Sequence, residues 1–333
     1  MLNHVALFAG MGGFIEGLNS LGMSTPLAND IDKHCTDTVR ATYPDCEVIC
    51  ASIEDSSWYS EAERVGQIDI LSAGFPCQPF SVAGEQEGFN DKKNRGNLFF
   101  NILDFCEAQA SPPKVLLLEN VTNLVKKDGG AWINHIINGL RKAGYWVGPN
   151  NCYIVNSADV TPTIQNRERV YIVAYHGSFF TRNPYKLPPV NAKDNLTKLT
   201  DFVDFHSKQE DRLYLDKDNK YFLKMDRVAG SGCRKRLFQL RRTEVRVLAQ
   251  DHCPTLTANM GAGGHNVPFL FDDFGLRRLS VNECAQLQGY NPEKLVFAPK
   301  ISDGAKLKMI GNAVDPNVIS WLAKPIIDHL ESL

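Results

Sequence analysis

The sequence predicts an α/β protein with a doubly wound, mostly parallel sheet and a second, smaller domain, on three observations. Short apolar runs alternate with helical patterns over about 175 residues, as strands joined by crossover helices do. The first run ends in a glycine-rich turn, and composition changes beyond residue 176. The 333 residues allow about two domains, and 43% hydrophobic with 22% charged residues is ordinary globular usage, so a chain disordered throughout is excluded.

Residues 5–9 (VALFA) run into Gly10 and are followed by Phe14, Leu18 and Leu21 at helical spacing, which reads as strand, tight turn and helix. Residues 26–29 lead to Asp30 and a second helix, and further strands are expected at 46–50, 68–73 and 114–118. Phe99, Ile102, Leu103 and Cys106, then Ile133, Ile136, Ile137 and Leu140, repeat as an amphipathic helix does. Another β-rich run occupies 170–175. From 183 to 227 Pro, Lys, Asp and Asn accumulate and periodicity weakens. Residues 234–246 then hold six Arg or Lys against the single acid Glu244, interleaved with Leu237, Phe238 and Leu240, before a glycine-rich stretch at 261–264. Val314, Val318, Leu322 and Ile326 restore helical spacing, and this last helix is expected to pack back on the first domain. The expected division is 1–185 completed by 311–333, and 186–310.

A formal net charge of −2 excludes a surface coated in basic residues while leaving room for a local basic groove. Nine cysteines with no C-x-x-C pair disfavour a disulfide framework and a paired-cysteine zinc site, and no metal site is expected. No apolar run approaches the roughly 18 residues of a membrane span. The start MLNHVALFAGMGG lacks the basic flank of a secretory signal, so the cytosol is the expected compartment, without a membrane partner.

Ligands of open α/β sheets sit at the carboxyl ends of the strands. Phe8-Ala9-Gly10-Met11-Gly12-Gly13 falls at the first such end, where glycines let backbone approach a ligand and aim helix N–H groups at polar atoms. A dinucleotide fingerprint would need glycine at position 15, where Ile15 stands, so a nicotinamide dinucleotide and a generic oxidoreductase are disfavoured. Asp30, 20 residues beyond Gly10, is placed to bind ribose hydroxyls. The strand 68–73 leads into Gly74-Phe75-Pro76-Cys77-Gln78-Pro79-Phe80-Ser81, in which two prolines stiffen the backbone around a cysteine placed like a nucleophile. An ordinary cysteine is a small buried hydrophobe, which is how the other eight are read. No histidine has a local setting that suggests a protease partner. Strand 114–118 instead ends in Glu119-Asn120, on the edge that carries Cys77, where a protonated carboxyl would donate to a ring nitrogen while a thiolate attacks.

Taken in order, FAGMGG, GFPCQPFS, ENV, QNRER and GNAV resemble the cytosine-5 DNA methyltransferase family, over nearly the whole chain and in the compact form of bacterial modification enzymes. The resemblance implies a Rossmann-like, S-adenosylmethionine-dependent catalytic domain and a smaller target-recognition domain for duplex DNA. Cys77 would add to C6 of a flipped-out cytosine, and C5 would take the methyl group from S-adenosylmethionine. Glu119 would meet N3 and the exocyclic amine, and Asn120 would hold the Pro76-Cys77 turn. Arg167 and Arg169 should share one face of a strand, where the first would contact the target base or the catalytic loop and the second would support Glu119 or the loop. The implied cofactor set is Phe8, Gly10, Met11, Gly13, Asp30, Ile31, Ser52, Ile53, Pro76, Leu98, Asn312 and Ala313. Residues 81–97 would form a loop closing over DNA, with Ser81 and Arg95 as its DNA contacts. In the second domain Arg234, Arg236, Arg241 and Arg242 of the basic run, with Thr255 and Thr257, would contact DNA, although a basic run is more often a solvated face.

Three positions depart from the family pattern: Ser52 where an acid meeting the adenine amino group is usual, Ile164 before Gln165, and Ala83 in the loop. None removes Cys77, Glu119, Arg167 or the glycine turn. The implied enzyme is a bacterial DNA cytosine-5 methyltransferase, a nucleoid-associated monomer protecting host DNA from a separately acting cognate endonuclease. The alternatives are a member acting on transfer RNA and a non-catalytic DNA-binding relative.

Overall fold

The computed structural model describes residues 1–76, 98–190, 197–230, 235–241, 244–262 and 266–333. Its first half alternates strand and helix. The elements are β1 (Asn3–Leu7), α1 (Gly13–Asn19), β2 (Ser24–Asp30), α2 (Lys33–Thr42), β3 (Glu47–Cys50), a 3-10 stretch (Ser56–Val65), β4 (Ile70–Gly74), α3 (Leu98–Glu107), β5 (Val115–Val121), α4 (Asn123–Lys126), α5 (Ala131–Lys142), β6 (Tyr145–Trp146), β7 (Cys152–Asn156), α6 (Ser157–Val160) and β8 (Glu168–His176). The strands lie in the order β3-β2-β1-β4-β5-β8-β6, with β7 also paired to β8. From β3 to β5 all pairings are parallel, and β8 is antiparallel to β5, β6 and β7. Strand order reverses at β1, which opens a crevice beyond its carboxyl end and that of β4.

The strands read as continuous apolar runs because helices cover both faces of a parallel sheet. Leu116 and Leu118 of β5 face the core that takes Phe99 and Ile102 of α3 and Ile133, Ile136 and Leu140 of α5. Ala6 and Ala28 belong to a separate cluster with Ile15 and Val39. The strands also hide polar groups in pairs. His4 in β1 is fully buried, with Nδ1 2.9 Å from Thr25 Oγ1 and Nε2 2.7 Å from Ser72 Oγ.

The remaining elements are α7 (Lys220–Ala229), β9 (Phe238–Arg241), β10 (Glu244–Val247), β11 (Phe269–Asp272), β12 (Gly275–Arg278), α8 (Val281–Leu287), α9 (Asp303–Asn312) and α10 (Pro316–Glu331). The last four strands form an antiparallel sheet ordered β10-β9-β11-β12. Part of the segment read as a basic run is therefore a pair of strands. Phe238 and Leu240 are buried and alternate with Gln239 and Arg241, which is strand periodicity overlaid on charge. The C-terminal pattern also differs from a helix starting at 311: α9 ends at Asn312, and α10 begins only after Asp315. The Asp315 carboxylate accepts from the N–H groups of Asn317 and Val318, and Pro316 fits the first helical turn.

Two compact units result. The first comprises Met1–Asn156, Glu168–Val190 and Val314–Leu333, and the second Ser157–Arg167 and Asn191–Ala313. These cuts differ from 185/186 and 310/311 chiefly in giving Ser157–Arg167 and residues 311–313 to the second unit. The peptide groups explain the first transfer: Asn166 N–H donates to the Cys253 carbonyl, and Cys253 N–H to that of Ile164.

Candidate active site

In the first unit, the carboxyl edge of the sheet gathers the glycine turn after β1, Asp30 at the end of β2, residues 51–53 after β3, Phe75-Pro76 after β4 and Glu119 at the end of β5. The turn after β1 reverses at Phe8, whose φ of 51° lies in the left-handed region that costs a non-glycine residue roughly 1–2 kcal/mol. Ala9 N–H ties the turn to the Asn29 carbonyl at 2.9 Å. Gly10 has φ 54°, and a Cβ added there would meet nothing among the described residues within 4 Å, so its backbone borders open space there. At Gly12 the reason is packing as well as φ, since a Cβ would lie 2.6 Å from the Tyr43 ring.

Asp30 links the first two loops. Its Oδ2 accepts from Gly10 N–H at 2.8 Å and its Oδ1 from Asp32 N–H at 2.8 Å. Burial pushes the Asp30 carboxyl above its ordinary value, and these N–H bonds oppose the rise. Ile31 beside it leaves 70% of its surface in solvent, an apolar side chain without a core to enter. Ser52 Oγ accepts from Glu54 N–H at 3.2 Å, a short turn of its own. Met11 and Ile53 are buried, so their side chains belong to the core. Gly13 opens α1 and is buried, whereas Leu98, the first residue of α3, is half-buried.

β4 and β5 bring the second group together by register, Gly74 opposite Glu119. A Cβ on Gly74 would lie 3.5 Å from Glu119 Oε2, so the carboxylate leans over the strand end that leads to Cys77. Arg169 in β8 meets the same carboxylate, with Nε 3.0 Å from Oε1. Asn120 is buried and donates through Nδ2 to the Phe75 carbonyl at 3.1 Å, fixing the residue before Pro76. Cys77 itself, with Ser81, Ala83 and Arg95, lies outside the described residues, as do Arg234 and Arg242.

Among the cysteines that are described, Cys35, Cys46, Cys106, Cys253 and Cys284 are buried. Burial pushes the thiols of Cys46 and Cys106 up to about 12, which keeps them protonated and unreactive.

The second unit corrects the expectation that Arg167 and Arg169 share a strand face. β8 begins at Glu168, and Arg167 belongs to the second unit, where its buried guanidinium donates to the carbonyls of Leu256 (3.0 Å), Gly311 (3.3 Å) and Ala313 (2.7 Å). Gln165 completes the brace. Its Oε1 accepts from Leu256 N–H and its Nε2 donates to the Leu287 carbonyl, each at 3.0 Å. Leu256 is thus held at both its N–H and its carbonyl. Gly311 is required there by contact, because a Cβ would fall 2.1 Å from the Thr257 carbonyl carbon. Thr255 Oγ1 donates to the Asn166 carbonyl at 2.6 Å, while Thr257 and Asn312 are exposed and Ala313 is buried. Arg241 is exposed with Nε on Gln239 Oε1 at 3.1 Å, and Arg236 has a buried Nε without a partner among the described residues. The bracing by Gln165 and Arg167 is not visible without knowing which distant carbonyls fold together.

The fold is shared with solved methyltransferases: the Dnmt2 methyltransferase of S. pombe superposes with a TM-score of 0.72 over 99% of each chain at 16% identity. A sequence model described as C-5 cytosine-specific DNA methylase matches residues 2–328. The chain therefore belongs to the C-5 cytosine-specific DNA methylase family. It is similar to the type II methyltransferase M.Bsp6I of Bacillus sp. (strain RFL6), with 35% identity over 98% of both chains. It is also similar to the type II methyltransferase M.HpaII of Haemophilus parainfluenzae, with 29% identity over 99% of this chain and 90% of that one.

Proposed function

We propose that this enzyme methylates C5 of a cytosine flipped out of a short, specific duplex sequence, with S-adenosylmethionine as donor, and protects DNA from a cognate endonuclease. Membership of the family supports the DNA cytosine-5 reaction. The observation that carries the chemical reading is the carboxylate of Glu119, paired to Arg169 and leaning over the strand end that precedes Cys77.

The residues fit the donor. Gly10 leaves backbone bordering open space, Asp30 offers a carboxylate for ribose hydroxyls, and the exposed Ile31 offers an apolar surface for a purine ring. Pro76 and Leu98 complete the proposed set in the first unit. When bound, S-adenosylmethionine supplies an electrophilic methyl group.

Extruding the base costs a few kcal/mol of stacking and pairing and exposes both faces of its C5–C6 bond. The Cys77 thiolate then adds to C6, which places carbanion character at C5. The Glu119 carboxyl, protonated for this step, donates to N3, where charge gathers as the thiolate adds, while Arg169 Nε–H donates to its Oε1 and holds it in place. After methylation C5 loses its proton and the Cys77–C6 bond breaks, which restores the aromatic ring and the free thiol. Asn120 and Arg167 are positioning residues: Asn120 through the Phe75 carbonyl, Arg167 through the carbonyls of Leu256, Gly311 and Ala313.

The test is transfer of labelled methyl from S-adenosylmethionine to unmethylated duplex DNA, beside the Cys77→Ala variant. Label in 5-methylcytosine of one short motif, absent in the variant, is expected. Label confined to transfer RNA, or label unchanged in Cys77→Ala, overturns the assignment.

A further inference from the structure

The second unit contains an open cleft of about 950 Å³ whose lining includes Gln239, Arg241, Glu244, Arg246, Thr255 and Asn259. Its wall is the hairpin-paired β9 and β10, whose two faces are chemically opposite. Phe238 and Leu240, with Val245 and Val247, pack on a core with Phe269, Phe271 and Leu276. The other face carries Gln239 directly opposite Arg246 and Arg241 opposite Glu244. Both features needed for readout are present, a polar face and a rigid backing. The cleft also includes residues 255–257, whose central residue is clamped at both peptide groups by Gln165 and Arg167.

The two arginines of this face are not equivalent. Arg241 is tied through Nε to Gln239 Oε1, whereas Arg246 forms no hydrogen bond or ion pair among the described residues. An exposed guanidinium held on a strand without an internal partner retains its whole planar fork for a ligand. A two-stranded ribbon fits the major groove, where the bidentate match for that fork is O6 and N7 of guanine. Gln239 Oε1 accepts from Arg241 Nε, which leaves the Nε2 donors of Gln239 for a neighbouring base. Cross-strand partners stand about 5.5 Å or less apart, within reach of adjacent bases stacked roughly 3.4 Å apart.

We infer that Arg246 and Gln239 are specificity-determining residues, Arg246 reading a guanine of the target duplex and Gln239 the base beside it. The inference rests on the duplex-DNA reading above, and it goes further by assigning sequence choice to one face of one strand pair. A phosphate contact is the competing role for an exposed arginine, and it behaves differently: its loss weakens all sequences alike.

The experiment is methylation of a duplex library randomised around the wild-type motif, read by bisulfite sequencing, with wild-type chain, Arg246→Ala and Gln239→Ala. Wild type is expected to require a guanine outside the target pair. Arg246→Ala should relax that requirement roughly ten- to a hundredfold while other motif positions stay selective, and Gln239→Ala should relax the adjacent position. If Arg246→Ala is too slow to sequence, its relative affinity for duplexes with and without that guanine gives the same reading. A uniform loss across all sequences, or an unaltered preference in Arg246→Ala, overturns the inference while leaving the methyltransferase reading intact. No methylated duplex motif in the wild type sinks both.

Discussion

Arg169 and Glu119 meet across antiparallel strands, Nε 3.0 Å from Oε1, with side chains only 16% and 11% exposed. They are diagonal neighbours, since Glu119 lies opposite Tyr171 and Arg169 opposite Val121. A fully buried pair that loses one partner costs roughly 3–5 kcal/mol. With the residual exposure, Arg169→Leu is expected to destabilise the chain by about 2–3 kcal/mol. It should also lower kcat far more than it raises KM for DNA. Denaturant titration and steady-state kinetics check both parts, and an unchanged kcat would detach Arg169 from the chemistry.

Asn120→Ala removes the donor to the Phe75 carbonyl and leaves that acceptor buried. A loss of about 1–3 kcal/mol of stability is expected from the orphaned group. Because the bond fixes the backbone before Pro76 and Cys77, turnover should fall while S-adenosylmethionine affinity stays within a few-fold of wild type. Calorimetric binding beside turnover measures the split.

Gly10→Val tests the glycine turn. The free protein has room for a Cβ at this position, so the stability cost comes from φ 54° and is expected to be about 1–2 kcal/mol. The added side chain fills the space that the bare backbone borders. S-adenosylmethionine affinity should therefore fall at least about tenfold, read by equilibrium binding, whereas an affinity equal to wild type would separate Gly10 from the donor.

His4 makes stability depend on pH. Burial lowers its pKa from 6.5 to about 3, so the folded state holds the neutral ring that sits between Thr25 and Ser72. The unfolded state binds the extra proton below 6.5, and the folded state only near 3. The contribution is complete above pH 6.5 and is lost as pH falls from there to about 3. Its size is on the order of 5 kcal/mol. His4→Gln, which cannot gain a proton, should show a flatter stability curve between those pH values by urea titration.

Arg277 is buried between Asp272 (Nε to Oδ2, 2.6 Å) and Glu283 (terminal nitrogens to both carboxylate oxygens, 2.7 and 2.8 Å). Arg277→Met leaves two buried carboxylates without their cation and should cost at least about 3 kcal/mol. Removing all three charges together with apolar residues should cost less, which a multiple-mutant cycle in thermal unfolding measures.

The fold of the first unit was legible because its signals are local. Strands from β1 to β5 announce themselves as apolar runs, and α5 buries Ile133, Ile136, Ile137 and Leu140 on one stripe. The glycine turn, Asp30 and Glu119 could be placed on one edge because a parallel sheet puts the ends of its strands there. Nonlocal pairings left no such trace. Nothing in the neighbourhood of Arg167 announces the carbonyls of Leu256, Gly311 and Ala313. The strands β9 and β10 were legible in principle, since Phe238, Leu240, Val245 and Val247 alternate with polar residues, although the same window is also a run of basic charge.

The proposed attack of Cys77 on C6 of a cytosine in duplex DNA is checked by a covalent trap. With fluorine replacing hydrogen at C5 of the target cytosine, the step that follows methylation cannot expel a proton, and the Cys77–C6 bond persists. Duplex carrying this base, incubated with the chain and S-adenosylmethionine, is expected to give a denaturation-resistant adduct whose modified peptide contains Cys77. Failure to form the adduct on a duplex whose unfluorinated form is methylated, or an adduct that survives in Cys77→Ala, would contradict the account.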